Sequence, residues 1–138
     1  MSAQEFAGNH ARSAAQNNAA RMAVAQLKNS GAKFVLHFSY DGSEIDEAAT
    51  QEVIKHANFM RDNPALNLRL EGHADERGTR EYNLALGENR ALAVKEILGL
   101  YDLSSRVNVI SFGEENPTAQ LHNESAWQQN RRVEFIYQ

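Results

Sequence analysis

From Lys33 onward the apolar positions switch between a period of two and a period near 3.6, and the switches divide the chain into strands and helices. Phe34-Val35-Leu36-His37-Phe38 is a short apolar run rich in strand formers, followed by Asp41-Gly42-Ser43 as a turn. Ala49, Val53, Ala57 and Met60 then share one face of a predicted helix, with Asp46 or Ser43 as its N-cap. Asn63-Pro64 ends it, because the residue before a proline is pushed out of the helical region. Leu66, Leu68 and Leu70 alternate with Asn67, Arg69 and Glu71 and predict a second strand, running into Gly72-His73-Ala74-Asp75. Asn83 is the expected cap of the next helix, whose buried side should use Leu86, Val94, Ile97 and Tyr101. A third strand places Val107 and Val109 on one face and Ile110 and Phe112 on the other. A long loop from Glu114 is expected to carry Trp127, and Arg132 to Tyr137 forms the last strand, with Val133, Phe135 and Tyr137 on one face.

Strand–helix–strand–helix–strand order implies right-handed parallel crossovers. The closing strand follows without a full helical crossover and should lie antiparallel to its neighbour. The expected fold is α+β, an α/β sandwich: a four-stranded mixed β-sheet in β-α-β-α-β-β order with helices packed on it, plus an N-terminal helical extension. Residues 1–32 differ in composition, being rich in Ala interleaved with Gln, Asn and Arg. Ala20, Val24 and Leu27 recur at helical spacing over Ala11–Lys28, and Asn29-Ser30-Gly31 supplies a stop, with Gly suited to the left-handed position after a helix. The stripe is thin, so this segment is read as a helix packed on the domain or as a tether. The expected division is 1–32 as the extension and 33–138 as the domain.

Composition narrows the function. With 14 basic against 18 acidic residues the formal net charge is −4, with no long single-sign run, so the concentrated basic face that nucleic acid requires is missing. There are no cysteines, which excludes disulfides and cysteine-ligated zinc. No apolar run approaches the ~20 residues needed to span a bilayer. Met1-Ser2-Ala3-Gln4-Glu5 lacks the basic-then-apolar start of a secretory signal, so for an exported protein the signal and any membrane anchor are expected to lie outside this chain.

The chemistry concentrates in Glu71–Ala91. Asp75 stands just beyond the carboxyl end of a strand, where open α/β sheets tend to bind ligands. Arg90 is expected six or seven residues into the following helix, and the loop between can fold that helix start back beside Asp75. An acceptor-only carboxylate and a donor-only guanidinium facing one cleft suit a zwitterion, with its ammonium on Asp75 and its carboxylate on Arg90. The competing reading is an ordinary ion pair between Asp75 and Arg90, or of either with Arg77 and Glu88.

Gly72-His73-Ala74-Asp75, Gly78, Tyr82-Asn83, Leu86-Gly87, Arg90-Ala91 and Val94 resemble the signature of the OmpA-like peptidoglycan-binding family at every spacing. Asn130-Arg131-Arg132-Val133-Glu134 resembles its C-terminal signature, and Phe38-Ser39-Tyr40-Asp41 with Ile45 its first-strand motif. Glu71-Gly-His-Ala-Asp-Glu-Arg-Gly-Thr with Leu86-Gly87-Glu88 is most similar to the branch of peptidoglycan-associated lipoproteins. The resemblance covers residues 34–137. It implies a non-catalytic module without cofactors that binds the meso-diaminopimelate of the peptidoglycan stem peptide and anchors an envelope protein on the periplasmic face of a Gram-negative outer membrane. It puts Asp75 on the ligand ammonium and Arg90 on the carboxylate, with Asn83 adding a side-chain hydrogen bond, Arg131 a further carboxylate contact and the main chain near Asp41 lining the cleft. An alternative use of the same fold is protein–protein interaction, for example with Tol-system or secretion components. Ser39 departs from the family's usual Asp or Asn, and Asn89 replaces a frequent Arg.

Other residues have plainer readings. His37, His56, His73 and His122 show no HExxH or repeated pair, so no metal site is expected and His73 is read as orienting its loop through hydrogen bonds. Glu71 and Asp75 would form a hydrolase pair only on a regular strand, and Gly72 is expected to break that register. Trp127 is read as packing and Tyr82 as a prop for the loop.

Overall fold

The computed structural model describes residues 14–138. Two compact units divide the chain, the first ending at Gly31 and the second spanning Ala32–Gln138. The first contains helix α1 (Ala14–Asn29), in which Ala20, Ala23, Val24 and Leu27 form a half-buried stripe. Gly31 takes a positive φ of 92°, the left-handed stop expected after this helix. The part of the anticipated helix before Ala14 lies outside the described residues.

The second unit runs β1 (Val35–His37), α2 (Glu47–Asp62), β2 (Leu68–His73), α3 (Arg80–Gly99), β3 (Val107–Gly113), α4 (Glu124–Asn130) and β4 (Arg132–Tyr137). The sheet order is β1-β4-β2-β3, with β2 and β3 parallel and β4 antiparallel to both β1 and β2. This is the anticipated four-stranded mixed sheet, with one difference. The segment between β3 and β4 is not all loop, because Asn123 accepts from the Ala126 N–H at 2.9 Å and starts a two-turn helix that carries Trp127.

Leu68 and Leu70 from β2 and Val133 and Phe135 from β4 meet Val53, Ala57 and Met60 of α2 and Ala91, Val94 and Leu98 of α3 in one core. Asp46 caps α2 by accepting from the Ala49 N–H at 2.8 Å, and Asn63 closes it. The next helix starts earlier than anticipated. Thr79, not Asn83, is its cap, which puts Asn83 in the first turn and Arg90 near the helix middle.

The buried face of α3 was also only partly anticipated. Ile97 and Tyr101 pack at the core edge, but the fully covered positions are Asn83, Gly87, Arg90, Ala91, Val94 and Leu98. The reason is a close approach between backbones: a Cβ on Gly72 would collide with the Gly87 carbonyl. Two glycines thus let α3 sit directly on β2, and polar side chains one turn either side of Gly87 are carried beneath the surface. The β2–β3 register shifts between Gly72 and His73 because β3 carries an extra residue, Phe112, there; β2 itself runs through Gly72 to His73, so the break anticipated in that strand does not occur.

Candidate functional site

Asp75 lies two residues past the end of β2 and is 5% exposed. Its Oδ1 accepts from the Arg77 main-chain N–H at 3.0 Å, which closes a tight turn, and from Arg77 Nε at 3.1 Å. Oδ2 accepts from Arg77 Nη2 at 2.8 Å and faces Arg131 Nη1 at 3.5 Å. Burial pushes the carboxyl upward, but the Arg77 hydrogen bonds and charge outweigh it and hold Asp75 below the usual carboxylate range. The Arg77 guanidinium is sandwiched between Tyr40 and Trp127, with Cζ 4.1 Å from each ring centroid. Trp127, anticipated as a packing residue, packs as half of an aromatic clamp on Arg77.

Arg90 is fully buried. It donates from Nε to the Gly42 carbonyl at 2.7 Å, from Nη1 to the His73 carbonyl at 2.9 Å and from Nη2 to the Ser39 carbonyl at 3.0 Å. Among the described residues no carboxylate lies within 4.0 Å of it, and burial, with the nearby Arg131 charge, lowers its pKa to about 10. The free fork anticipated for Arg90 is absent, since three of its five N–H groups are used by the main chain. Because Ser39 takes part through its carbonyl, serine in place of Asp or Asn leaves this contact intact.

Asp41, Asp75, Asn83 and Arg90 line one hollow of ≈ 50 Å³, together with Arg77, Tyr40 and Tyr82. Asp41 stands at a positive φ of 59°, in the turn that delivers the Gly42 carbonyl to Arg90. Asn83 donates from Nδ2 to Glu114 Oε1 at 3.0 Å. Tyr82 is 49% exposed at the rim. Arg131 lies behind Asp75, not in the lining, and donates to the Phe38 carbonyl at 2.8 Å and to Glu124 Oε1 at 2.9 Å. A larger hollow of ≈ 240 Å³ lies beyond Ser39, but Leu36, Phe38, Ile45 and Ala49 contribute to its wall and no lysine or arginine does.

Asp41, Asp75, Asn83 and Arg90 thus converge while Arg131 stays outside the lining, and Arg77, Tyr40 and Trp127 join them. Neither aromatic was legible as a site residue, because the Arg77 clamp joins the β1–α2 loop to α4 across the fold. His73 also departs from expectation. Its carbonyl serves Arg90, but neither ring nitrogen makes a hydrogen bond, and burial with the Arg132 charge lowers its pKa to about 4.

A mixed sheet ending in a small charged hollow defines a binding module more readily than an enzyme, and the comparisons agree. The chain belongs to the OmpA family, which it matches over residues 37–131. It is 43% identical over 102 residues to the peptidoglycan-associated lipoprotein of Legionella pneumophila, covering 73% of this chain and 58% of that one. The Pseudomonas aeruginosa protein of the same name is 46% identical over 100 residues, covering 72% and 59%. The chain therefore spans less than two thirds of the length of these curated relatives. The crystal structure of the peptidoglycan-associated lipoprotein from Burkholderia pseudomallei superposes with a TM-score of 0.75 at 37% identity, covering 78% of this chain and 92% of that one. Both curated relatives carry the name of a lipoprotein associated with peptidoglycan, which names no catalytic activity. No helix among the described residues is long and apolar enough to cross a membrane.

Proposed function

We propose that this domain binds peptidoglycan through the meso-diaminopimelate of the stem peptide, and that it anchors an envelope protein to the cell wall on the periplasmic side of a Gram-negative outer membrane. The carrying observation is the charge arrangement of one hollow. Among the described residues Arg90 is a buried cation with no carboxylate partner, and Asp75 beside it is paired mainly with Arg77, whose side chain is 31% exposed. A buried charge without a counter-ion is costly, and carbonyl dipoles offset only part of that cost. A ligand carboxylate reaching the remaining N–H groups of Arg90 completes the neutralisation. The ligand ammonium takes the place of the Arg77 guanidinium on Asp75, and the displaced Arg77 opens a hollow that now has room for water but not for a diamino acid. That Asn83 and Asp41 also line the hollow supports their proposed polar contacts to the ligand.

Lysine-type stem peptide lacks the distal carboxylate and leaves Arg90 unmatched, so it should bind more weakly by roughly 1.5–3 kcal/mol, the worth of a charged hydrogen bond. Calorimetric titration with diaminopimelate-type and lysine-type muropeptides tests this. Saturable binding of the first, tenfold or more above the second, is the expected result; equal affinity for both would remove the proposed role of Arg90.

A further inference from the structure

We propose that Glu71, His73 and Glu134 form a divalent-cation site of the zinc class on the face of the sheet opposite the core. Glu71 and His73 are two apart on β2 and point to the same face. Glu134 on β4 is the register partner of Glu71, so the antiparallel pairing brings the third ligand alongside. One donor atom from each residue lies within 4.8 Å of the others.

The second observation is the His73 ring. It is 1% exposed, and both its nitrogens are buried with no hydrogen bond. Nε2 comes within 3.4 Å of Glu134 Oε2, inside ion-pair reach but without hydrogen-bond geometry. Phe112 stacks on the ring at 5.5 Å and 21°, fixing its plane. An imidazole orphaned in this way carries a desolvation cost that a metal ion would relieve.

The carboxylates are also braced as metal ligands commonly are. Arg69 Nη2 holds Glu71 Oε2 at 2.6 Å, and Arg132 Nε holds Glu134 Oε2, the oxygen facing His73, at 2.8 Å. Two guanidinium and two carboxylate charges cancel, so the ion retains its own charge and takes water or an anion in its open fourth position. The side chains of Arg69 and Glu134, 38% and 32% exposed, leave a route for it. One imidazole and two carboxylates suit zinc, and cobalt substitutes in the same geometry. The bound ion would clip β2 to β4 in mid-sheet.

The test is zinc titration calorimetry and cobalt absorption on metal-stripped chain in which His10 and His122 are replaced by alanine, removing the exposed His122–Glu76 pair. One saturable ion, a cobalt spectrum with an imidazole ligand and a raised melting midpoint are expected. All three should be lost in Glu134→Gln and in Glu71→Gln, each first shown to be folded by circular dichroism without metal. No saturable binding in the parent, or binding that persists in both glutamine variants, would overturn the site.

Discussion

Arg106 and Arg90 stand at opposite ends of the parallel β2–β3 pair and are held in the same manner. Arg106 donates to the carbonyls of Met60, Asn63 and Leu66, tying the end of α2 to the chain entering β2. Arg90 donates to those of Ser39, Gly42 and His73, tying the turn after β1 to the end of β2. Both lose basicity, chiefly through burial. What differs is the surroundings. Arg106 is bonded among main-chain carbonyls, whereas Arg90 shares a hollow with two carboxylates, one of them clamped by Arg77. A carbonyl-held guanidinium is therefore a structural staple by itself, and becomes a candidate recognition group when a cavity and complementary charge lie beside it.

The sharpest way to break this comparison is to remove each staple. Arg90→Ala leaves three buried carbonyls without a donor and should cost about 3 kcal/mol or more, while also abolishing peptidoglycan pull-down. Asp75→Ala should abolish the pull-down too, with a melting midpoint much closer to that of the parent. Arg106→Ala should cost about 1–3 kcal/mol yet keep the pull-down, and a loss of binding there would erase the distinction between the two ends. Arg77→Ala removes the internal competitor for Asp75 and should tighten muropeptide binding several-fold by calorimetry, on the order of 1 kcal/mol.

The smallest expected effect belongs to the Arg106 end. His56 is buried between Tyr137 Oη at 2.6 Å and the Lys33 carbonyl at 2.8 Å, and burial lowers its pKa below 6.5. Its folded pKa lies under the unfolded value, so its contribution is fully present above pH 6.5 and is lost as pH falls through the lowered value. The melting midpoint should decline below that pH, and His56→Gln should flatten the decline.

Much of this was legible in one sequence. The alternation of Leu66, Leu68 and Leu70 and the helical face of Val53, Ala57 and Met60 located β2 and α2, because these sides of the elements are simply apolar. The face of α3 was harder, since Asn83, Gly87 and Arg90 are buried by a glycine–glycine backbone contact that hydrophobic periodicity does not register. Asp75 and Arg90 were identified by motif spacing. The degree of burial of Arg90 was not, because its three acceptors are main-chain carbonyls, which have no signature in side-chain chemistry. The Glu71–His73–Glu134 cluster escaped for a different reason: Glu134 joins it only through strand pairing.

The most direct measurement is an NMR titration of the domain with a meso-diaminopimelate-containing muropeptide, following the guanidinium Nε–H signals of Arg77, Arg90 and Arg106. Release of the Arg77 signal from its bonded position, with a shift at Arg90 and none at Arg106, is the predicted result. Saturable binding that leaves both Arg77 and Arg90 unmoved would contradict the assignment of this hollow as the binding site.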